Sequence, residues 1–192
     1  MWWDAIQQVL IPEAELRQRV QILGQAITDD YRGEDLVLIP VLKGALVFGA
    51  DLARAIALPL TLDAVCLSSY GHQPVSSGTV RLRKDLDDSI AGKHALIVED
   101  IVDTGFTLQA LWRHLQARGP ATLRTCVLLD KRARRRVDVP VHYRGFEVPD
   151  AFVVGYGLDY QGRYRNLPFI GILHPECFQE ASPAQSPPCR RS

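Results

Sequence analysis

Apolar residues recur at helical spacing in three parts of the chain. The first helix is predicted over residues 13–31, ahead of Gly33, and its apolar stripe comprises Leu16, Val20, Leu23, Ile27 and Tyr31. A second helix is predicted over residues 45–57. The third precedes Gly119 and Pro120, and its apolar face comprises Leu108, Leu111, Trp112 and Leu115.

Short apolar runs between these helices have the length and composition of buried strands. They cover residues 36–42, 60–66, 95–98 and 123–129, and two further candidates are residues 151–156 and 169–173. Strands that alternate with helices in the order βαβαβ predict a central, mainly parallel sheet flanked by helices. Ligands of such α/β sheets bind beyond the carboxyl ends of the strands. The residues directly after each predicted strand are therefore the candidates for function.

Length and composition predict one domain with a tail. The chain has 192 residues, of which 47% are hydrophobic, enough for one core. We expect residues 1–180 to form a single domain, and residues 181–192, rich in Pro, Ser and Arg, to be disordered. Residues 70–79, rich in Gly, Ser, Pro and His, have no apolar period and predict a mobile surface loop.

Charge and cysteine content narrow the expected partners and location. The 22 basic and 22 acidic residues cancel, so we expect no general attraction to nucleic acid or to a membrane surface. The four cysteines Cys66, Cys126, Cys177 and Cys189 have no metal-ligand spacing and predict reduced thiols. The first ten residues lack the pattern of a signal peptide, and no apolar run is long enough to span a bilayer. We therefore expect a cytoplasmic protein.

The most informative segment is ALIVEDIVDTGFTL, residues 95–108. Its apolar run stops at Glu99 and Asp100, and a turn then opens the third helix. A glycine, hydroxyl groups and the free amides of a helix start suit a phosphate group. Carboxylates beside that turn would repel a phosphate unless a cation or a sugar hydroxyl lay between them. The segment therefore predicts a site for a phosphorylated sugar with Mg²⁺.

Five motifs carry a resemblance to a known family. The segment of residues 95–108 resembles the phosphoribosyl-diphosphate motif of type I phosphoribosyltransferases. The strings VLKGA, SSYG, LLDKR and PDAFVVGYGLDY resemble the accompanying motifs of the hypoxanthine-guanine phosphoribosyltransferases. The resemblance covers residues 36 to about 177. It implies the type I phosphoribosyltransferase fold, with a small hood formed by the chain ends.

The resemblance also implies a purine salvage reaction. The 5-phosphoribosyl group of 5-phosphoribosyl-1-diphosphate would pass to N9 of hypoxanthine or guanine, giving IMP or GMP and diphosphate, with Mg²⁺ as cofactor. A homodimer or homotetramer is expected.

Residue roles follow motif by motif. Phosphoribosyl diphosphate would be bound by residues of three motifs and by Arg165; the motif residues are Lys43, Gly44, Ser69, Tyr70, Glu99, Asp100, Ile101, Val102, Asp103, Thr104, Gly105 and Thr107. Glu99 and Asp100 would hold the ribose hydroxyls and Mg²⁺, and Asp159 would lie near a second Mg²⁺. Ser69 and Tyr70 resemble part of a loop that closes over the reaction.

The base side has its own candidates. Asp103 resembles the acid that acts as general base at the purine five-membered ring. Lys131 resembles the lysine that donates to the 6-oxygen, which would favour 6-oxopurines over adenine. Phe152 resembles the aromatic residue that stacks on the purine, and Val153 and Asp159 resemble its neighbours at the base edge.

Each motif also has a purely structural explanation. Glu99 and Asp100 could be a solvated strand end, Asp103 a helix N-cap, and Lys43 a solvated lysine. Phe152 could belong to the core, and Ser69 and Tyr70 to an ordinary loop. The run KRARRR at residues 131–136 is more basic than the resemblance leads us to expect. A solvated loop is its structural interpretation, and a diphosphate or RNA contact is a secondary alternative. The role of Trp2 and Trp3 is open.

Other classes of protein could share parts of this sequence pattern. A regulator that senses phosphoribosyl diphosphate would keep the segment of residues 95–108, but no appended helix-turn-helix is recognisable. A P-loop phosphotransferase would need GxxxxGKS or GxxxxGKT, and neither string occurs. Adenine, orotate and xanthine transferases are nearer alternatives, and xanthine stays open as a side substrate.

Overall fold

The computed structural model describes residues 4–69 and 80–177, which contain three α-helices and ten strands. The helices are α1 (Glu13–Asp30), α2 (Leu46–Ala55) and α3 (Phe106–Gln116). The strands are β1 (Ile6–Ile11), β2 (Leu36–Leu42), β3 (Leu60–Leu62), β4 (Val65–Ser69), β5 (Val80–Lys84), β6 (His94–Val102), β7 (Thr122–Asp130), β8 (Tyr143–Glu147), β9 (Val153–Val154) and β10 (Ile170–Leu173). Short 3-10 turns follow at Arg132–Arg134 and Pro175–Cys177.

The larger of two compact units, residues 18–150, is built on one sheet and is called the sheet unit below. Its strand order is β5-β4-β2-β6-β7-β8, with β3 also paired to β2. All of these pairs are parallel except β4 with β5. This confirms the predicted α/β fold with a central, mainly parallel sheet.

The central strands are apolar because both faces of the sheet are covered. The first six residues of β2 are buried, and five consecutive residues of β6, Ala95 to Glu99, are buried as well. Side chains from β2, β6 and α3 share one core cluster, in which Ile39, Ile97 and Leu111 are at most 2% exposed. A parallel sheet places the carboxyl ends of β2, β6 and β7 along one edge.

The second unit combines the two chain ends, residues 1–17 and 151–192, and is called the chain-end unit below. Its described part contains an antiparallel sheet in the order β1-β10-β9. Ala5, Val154, Leu167 and Leu173 form its buried core. The resemblance predicted a small region formed by the chain ends. That residues 1–180 act as one domain stays a prediction.

Several boundaries differ from the sequence-based expectation. Strand β6 does not stop before Glu99 but continues to Val102, because its pairing with β7 runs on from Glu99↔Val127 to Val102↔Asp130. The strand predicted over residues 60–66 is two strands, β3 and β4. Strands β1, β5 and β8 were not predicted, and their short runs mix apolar with polar residues.

Some expectations cannot be compared with the structure. The predicted mobile loop at residues 70–79, the tail at residues 181–192, and Trp2 and Trp3 all lie outside the described residues. Among the helices that are described, none has the length and apolar character needed to cross a membrane.

Candidate functional site

Two adjacent acids lie near the carboxyl end of β6. Glu99 is only 9% exposed, and its Oε2 has no hydrogen-bond partner among the described residues. Burial raises the pKa of Glu99 well above its ordinary value, and the neighbouring Asp100 carboxylate raises it further. The alternative of a solvated strand end is therefore wrong for Glu99. A buried carboxyl group beside a second acid is typical of a functional site.

The turn after β2 lies against Asp100. A Cβ atom placed on Gly44 would be 1.9 Å from Asp100 Oδ2, so only glycine leaves space for this carboxylate. The peptide between Leu42 and Lys43 is cis, and the Lys43 side chain is exposed. The structure thus brings the strand ends of β2 and β6 together.

The end of β6 and the turn that leads to α3 line a cavity of about 160 Å³. Its lining contains every predicted residue of this region: Glu99, Asp100, Ile101, Val102, Asp103, Thr104, Gly105 and Thr107. Gly105 has a φ of 91° and is the N-cap of α3, with no side-chain cap hydrogen bond. The alternative of Asp103 as N-cap is therefore wrong. The first amides of α3 have no helical partners and suit an anion.

The segment after β7 packs on this turn through its backbone. Lys131 N–H donates to Val102 O at 3.0 Å, and Arg136 N–H donates to Thr104 O at 3.0 Å. A Cβ atom on Gly105 would lie 3.0 Å from Arg135 Cδ, so the two segments are in close contact. The backbone of this segment is therefore held against the turn that opens α3.

Four charged side chains meet where these segments join. Arg134 Nε lies 3.0 Å from Asp103 Oδ1, and Arg134 Nη1 lies 3.3 Å from Asp150 Oδ1. Lys131 is 7% exposed, and burial lowers its pKa. Arg134 also lowers the pKa of Lys131, whereas the carboxylates of Asp103 and Asp150 raise it. The structure thus places the predicted base-side residues Asp103 and Lys131 near each other.

The interpretation of residues 131–136 as a solvated loop is wrong in part. Arg132 and Arg136 are exposed, but Arg134 pairs with Asp103, and Arg135 pairs with the buried carboxylate of Asp130. Sequence reasoning missed Arg134 and its neighbour Asp150 as members of the site. The unusual basic run was the only signal for Arg134.

The remaining predicted residues are in the chain-end unit. Phe152 is 38% exposed and makes an edge contact with the Tyr160 ring, with centroids 5.6 Å apart, so it is not a core residue. Val153 is buried in β9. Asp159 pairs with Arg165, with Oδ1 and Nη2 2.5 Å apart, and Asp159 Oδ2 accepts from Gly162 N–H at 2.6 Å.

Only the start of the predicted closing loop lies within the described residues. Ser69 is the last residue of β4 and pairs with Val80 of β5, whereas Tyr70 lies outside the described residues.

Two acids at the β6 end could serve as ligands of a hydrated divalent cation. No group of three or more His, Cys, Asp or Glu side chains suited to a metal occurs in the described ranges 4–69 and 80–177. Mg²⁺ commonly uses only one or two carboxylates, with water and substrate phosphates as its other ligands. Glu99, with its unpartnered Oε2, and Asp100 provide such a pair.

The sequence and the fold are similar to those of characterised proteins. The family described as the phosphoribosyl transferase domain matches residues 7–161. The chain is 49% identical to a hypoxanthine-guanine phosphoribosyltransferase of Mycobacterium avium, over 91% of this chain and 89% of that one. It is 48% identical to a protein of the same name from Bacillus subtilis, over 91% and 97%. A hypoxanthine phosphoribosyltransferase structure from Staphylococcus aureus superposes with a TM-score of 0.89 at 43% identity, over 92% and 96%.

Proposed function

The chain belongs to the phosphoribosyltransferase family, with hypoxanthine-guanine phosphoribosyltransferases as its relatives, and from this premise we propose its reaction. The enzyme transfers the 5-phosphoribosyl group from 5-phosphoribosyl-1-diphosphate to N9 of hypoxanthine or guanine. The products are IMP or GMP and diphosphate, so the enzyme serves purine salvage.

One observation carries this proposal. Two adjacent acids, one of them buried, and the amino end of α3 line the same cavity of about 160 Å³. The acids suit sugar hydroxyls and a hydrated cation, and the turn from Asp103 to Thr107 suits the 5-phosphate. A phosphorylated sugar carries all of these groups on one small molecule.

The sugar side of the site supports bond cleavage at C1 of the pentose. Glu99 and Asp100 accept hydrogen bonds from the ribose hydroxyls, and Thr104, Gly105 and Thr107 hold the 5-phosphate. Lys43 and Gly44 contribute to the diphosphate pocket. When bound at Glu99 and Asp100, Mg²⁺ supplies positive charge that neutralises the leaving diphosphate. Ser69 and Tyr70 belong to a loop that keeps water from the reacting sugar.

The purine side uses Asp103 and Lys131. Asp103 accepts the proton from N7 as N9 forms its bond to C1 and the bond from C1 to diphosphate breaks. Lys131 donates to the 6-oxygen. Its site is buried, so the amino group of adenine in that position would leave one donor facing another.

The proposal extends to the chain-end unit and to the assembly. Phe152, which is partly exposed, stacks on the purine, and Val153 contacts its edge. Asp159 would hold a second Mg²⁺, and Arg165 would contact diphosphate. A cytoplasmic location and a homodimer or homotetramer complete the proposal, and cell fractionation and light scattering test them.

A spectrophotometric assay tests the function directly. Purified protein is mixed with Mg²⁺, phosphoribosyl diphosphate and one of hypoxanthine, guanine, xanthine or adenine. We expect nucleotide formation with hypoxanthine and guanine and almost none with adenine. Binding of phosphoribosyl diphosphate without turnover of any base would instead support a regulator, and preference for adenine would contradict the role of Lys131.

A further inference from the structure

Arg134 links the candidate general base to a second acid. Its Nε lies 3.0 Å from Asp103 Oδ1, an ion pair without hydrogen-bond geometry, and its Nη1 donates to Asp150 Oδ1 at 3.3 Å. About half of the Arg134 side chain is exposed, so the pairing does not arise from enclosure in a core. The guanidinium group instead bridges two carboxylates that lie on different segments.

The backbone fixes where this guanidinium group lies. Arg134 ends the 3-10 turn Arg132–Arg134, in which Arg134 N–H donates to Lys131 O at 3.1 Å. Lys131 N–H donates to Val102 O, and Arg136 N–H donates to Thr104 O, both at 3.0 Å. Hydrogen bonds on both sides of Arg134 therefore attach its segment to the residues that flank Asp103.

The charges around the site explain why a cation is useful there. A general base must point at the proton that it removes. Asp150 and Asp103 would repel each other without a cation between them. Arg134 supplies that cation, and its planar group can face two carboxylates at once, which a lysine ammonium group does less well.

We propose that Arg134 is a positioning residue for the reaction, which orients the Asp103 carboxylate as general base and uses Asp150 as its own anchor. This inference rests on the proposed function. In the proposed reaction, Arg134 contacts no reacting atom and acts only through Asp103. Its contribution is to the rate of the chemical step and not to the binding of phosphoribosyl diphosphate.

Single-turnover kinetics of three variants test the proposal. We measure the rate of IMP formation on the enzyme, so that product release does not hide the chemical step, and the affinity for phosphoribosyl diphosphate. Arg134→Gln should lower the rate about tenfold with affinity unchanged within about twofold. Arg134→Lys should restore part of the rate. Arg132→Gln, from the same turn but with an exposed side chain, is the matched control and should behave as wild type.

A double-mutant cycle shows whether Arg134 acts through Asp103. Asp103→Asn alone should slow the step about a hundredfold. In that background, Arg134→Gln should change the rate by less than about twofold, because nothing remains for it to orient. The proposal would be overturned if the losses of the two single variants multiplied in the double variant. It would also be overturned if Arg134→Gln alone lost only affinity for phosphoribosyl diphosphate, kept the wild-type rate or became faster.

A further variant keeps the test independent of the stability of Arg134→Gln. Asp150→Asn leaves Arg134 in place but removes its anchor, and should lower the rate about threefold with unchanged affinity; wild-type behaviour would contradict the anchoring role. Absence of nucleotide formation by the wild-type enzyme would overturn the proposed function itself. An active wild type with an insensitive Arg134 would overturn only this inference.

Discussion

The amino and carboxyl ends of the parallel strands form two edges of the large sheet. The polar clusters at these two edges differ in how their charges are paired. The amino-edge cluster is Asp30, Arg124 and Tyr143, at the end of α1 and near the starts of β7 and β8. Arg124 Nη1 lies 2.9 Å from Asp30 Oδ2, and the Tyr143 hydroxyl donates to the same oxygen at 2.6 Å. Burial and the bond to Asp30 raise the pKa of Tyr143, so it stays a donor. Every charge in this cluster has an opposite partner.

The carboxyl-edge cluster is Glu99, Asp100, Asp103, Lys131 and Arg134. Here two acids are adjacent on one strand, and Glu99 Oε2 has no hydrogen-bond partner among the described residues. The burial that raises the pKa of Glu99 also lowers that of Lys131. The amino edge is arranged for stability, whereas the carboxyl edge tolerates unfavourable charges that a ligand can compensate. We therefore expect mutations to lower activity at the carboxyl edge and to lower stability at the amino edge.

Gly44→Ala should have the largest effect among single changes that probe this difference. The new Cβ atom would overlap the Asp100 carboxylate and displace it, at a cost of about 2 kcal/mol. We expect kcat/KM for phosphoribosyl diphosphate to fall about 30-fold. The control is Gly92→Ala, in the turn before β6, where φ is 73° and the space is open. It should cost about 1 kcal/mol of stability and leave kcat/KM unchanged. Equal kinetic losses in both variants would contradict the comparison.

Lys131→Gln should reduce the preference for 6-oxopurines about tenfold. A glutamine amide can accept from a 6-amino group as well as donate to a 6-oxygen, so the mismatch with adenine is relieved. The measurement is the ratio of kcat/KM for hypoxanthine to that for adenine. Arg136→Gln, an exposed change in the same basic run, is the control. An unchanged ratio in Lys131→Gln would exclude the proposed contact.

Glu99→Gln should stabilise the unliganded protein while it lowers activity. The folded protein binds a proton at Glu99 more tightly than the unfolded chain does, since burial raises the pKa of this group above 4.5. Its contribution to stability is therefore present at low pH and is lost as pH rises from about 4.5 through the raised value. We expect Glu99→Gln to gain about 1 kcal/mol at pH 8 and nothing at pH 4.

Thermal unfolding across this pH range measures the effect. Glu147→Gln removes an exposed acid at the end of β8 and is the control for a general change in net charge. A stability gain of the same size in both variants, or a loss in Glu99→Gln at pH 8, would contradict the interpretation of the carboxyl edge.

Tyr143→Phe should have the smallest effect and should act only on stability. The variant loses the hydrogen bond to Asp30 and the one that its hydroxyl accepts from Arg124, but Arg124 still pairs with the Asp30 carboxylate, so we expect a cost of about 0.5 kcal/mol. The kinetic constants should not change. Chemical denaturation and the nucleotide assay measure the two properties. A kinetic defect would show that the amino edge is not only structural.

Sequence reasoning was most accurate where structure depends on neighbouring residues. The prediction for β2 is confirmed at both ends, and those for β7, α1 and α3 are confirmed within two residues, because long apolar runs and helical stripes are local signals. Strands β1, β5 and β8 were missed, since each is short and is held by pairing with a distant segment. The end of β6 was also misjudged, because pairing with β7 extends the strand past Glu99 and Asp100.

The candidate site likewise combines features that depend on local sequence with features that depend on contacts between distant segments. The glycine, threonines and acids of residues 95–108 are close in sequence, and their grouping around one cavity could be predicted. The contact of Asp103 with Arg134 could not be predicted, because the two are 31 positions apart in the sequence and only the packing of residues 131–136 on the turn brings them together. The basic run was visible in the sequence, but its partners were not.

By itself, the sequence determined the alternation of strands and helices, the phosphate-binding turn and the family, because each depends on residues that are neighbours or nearly so. Only the tertiary structure decided which charges are paired. The burial of Glu99, the lowered pKa of Lys131 and the bridge from Arg134 to Asp103 and Asp150 all depend on distances between segments. Electrostatic energies vary steeply with such distances and with burial, and neither quantity is encoded in local sequence.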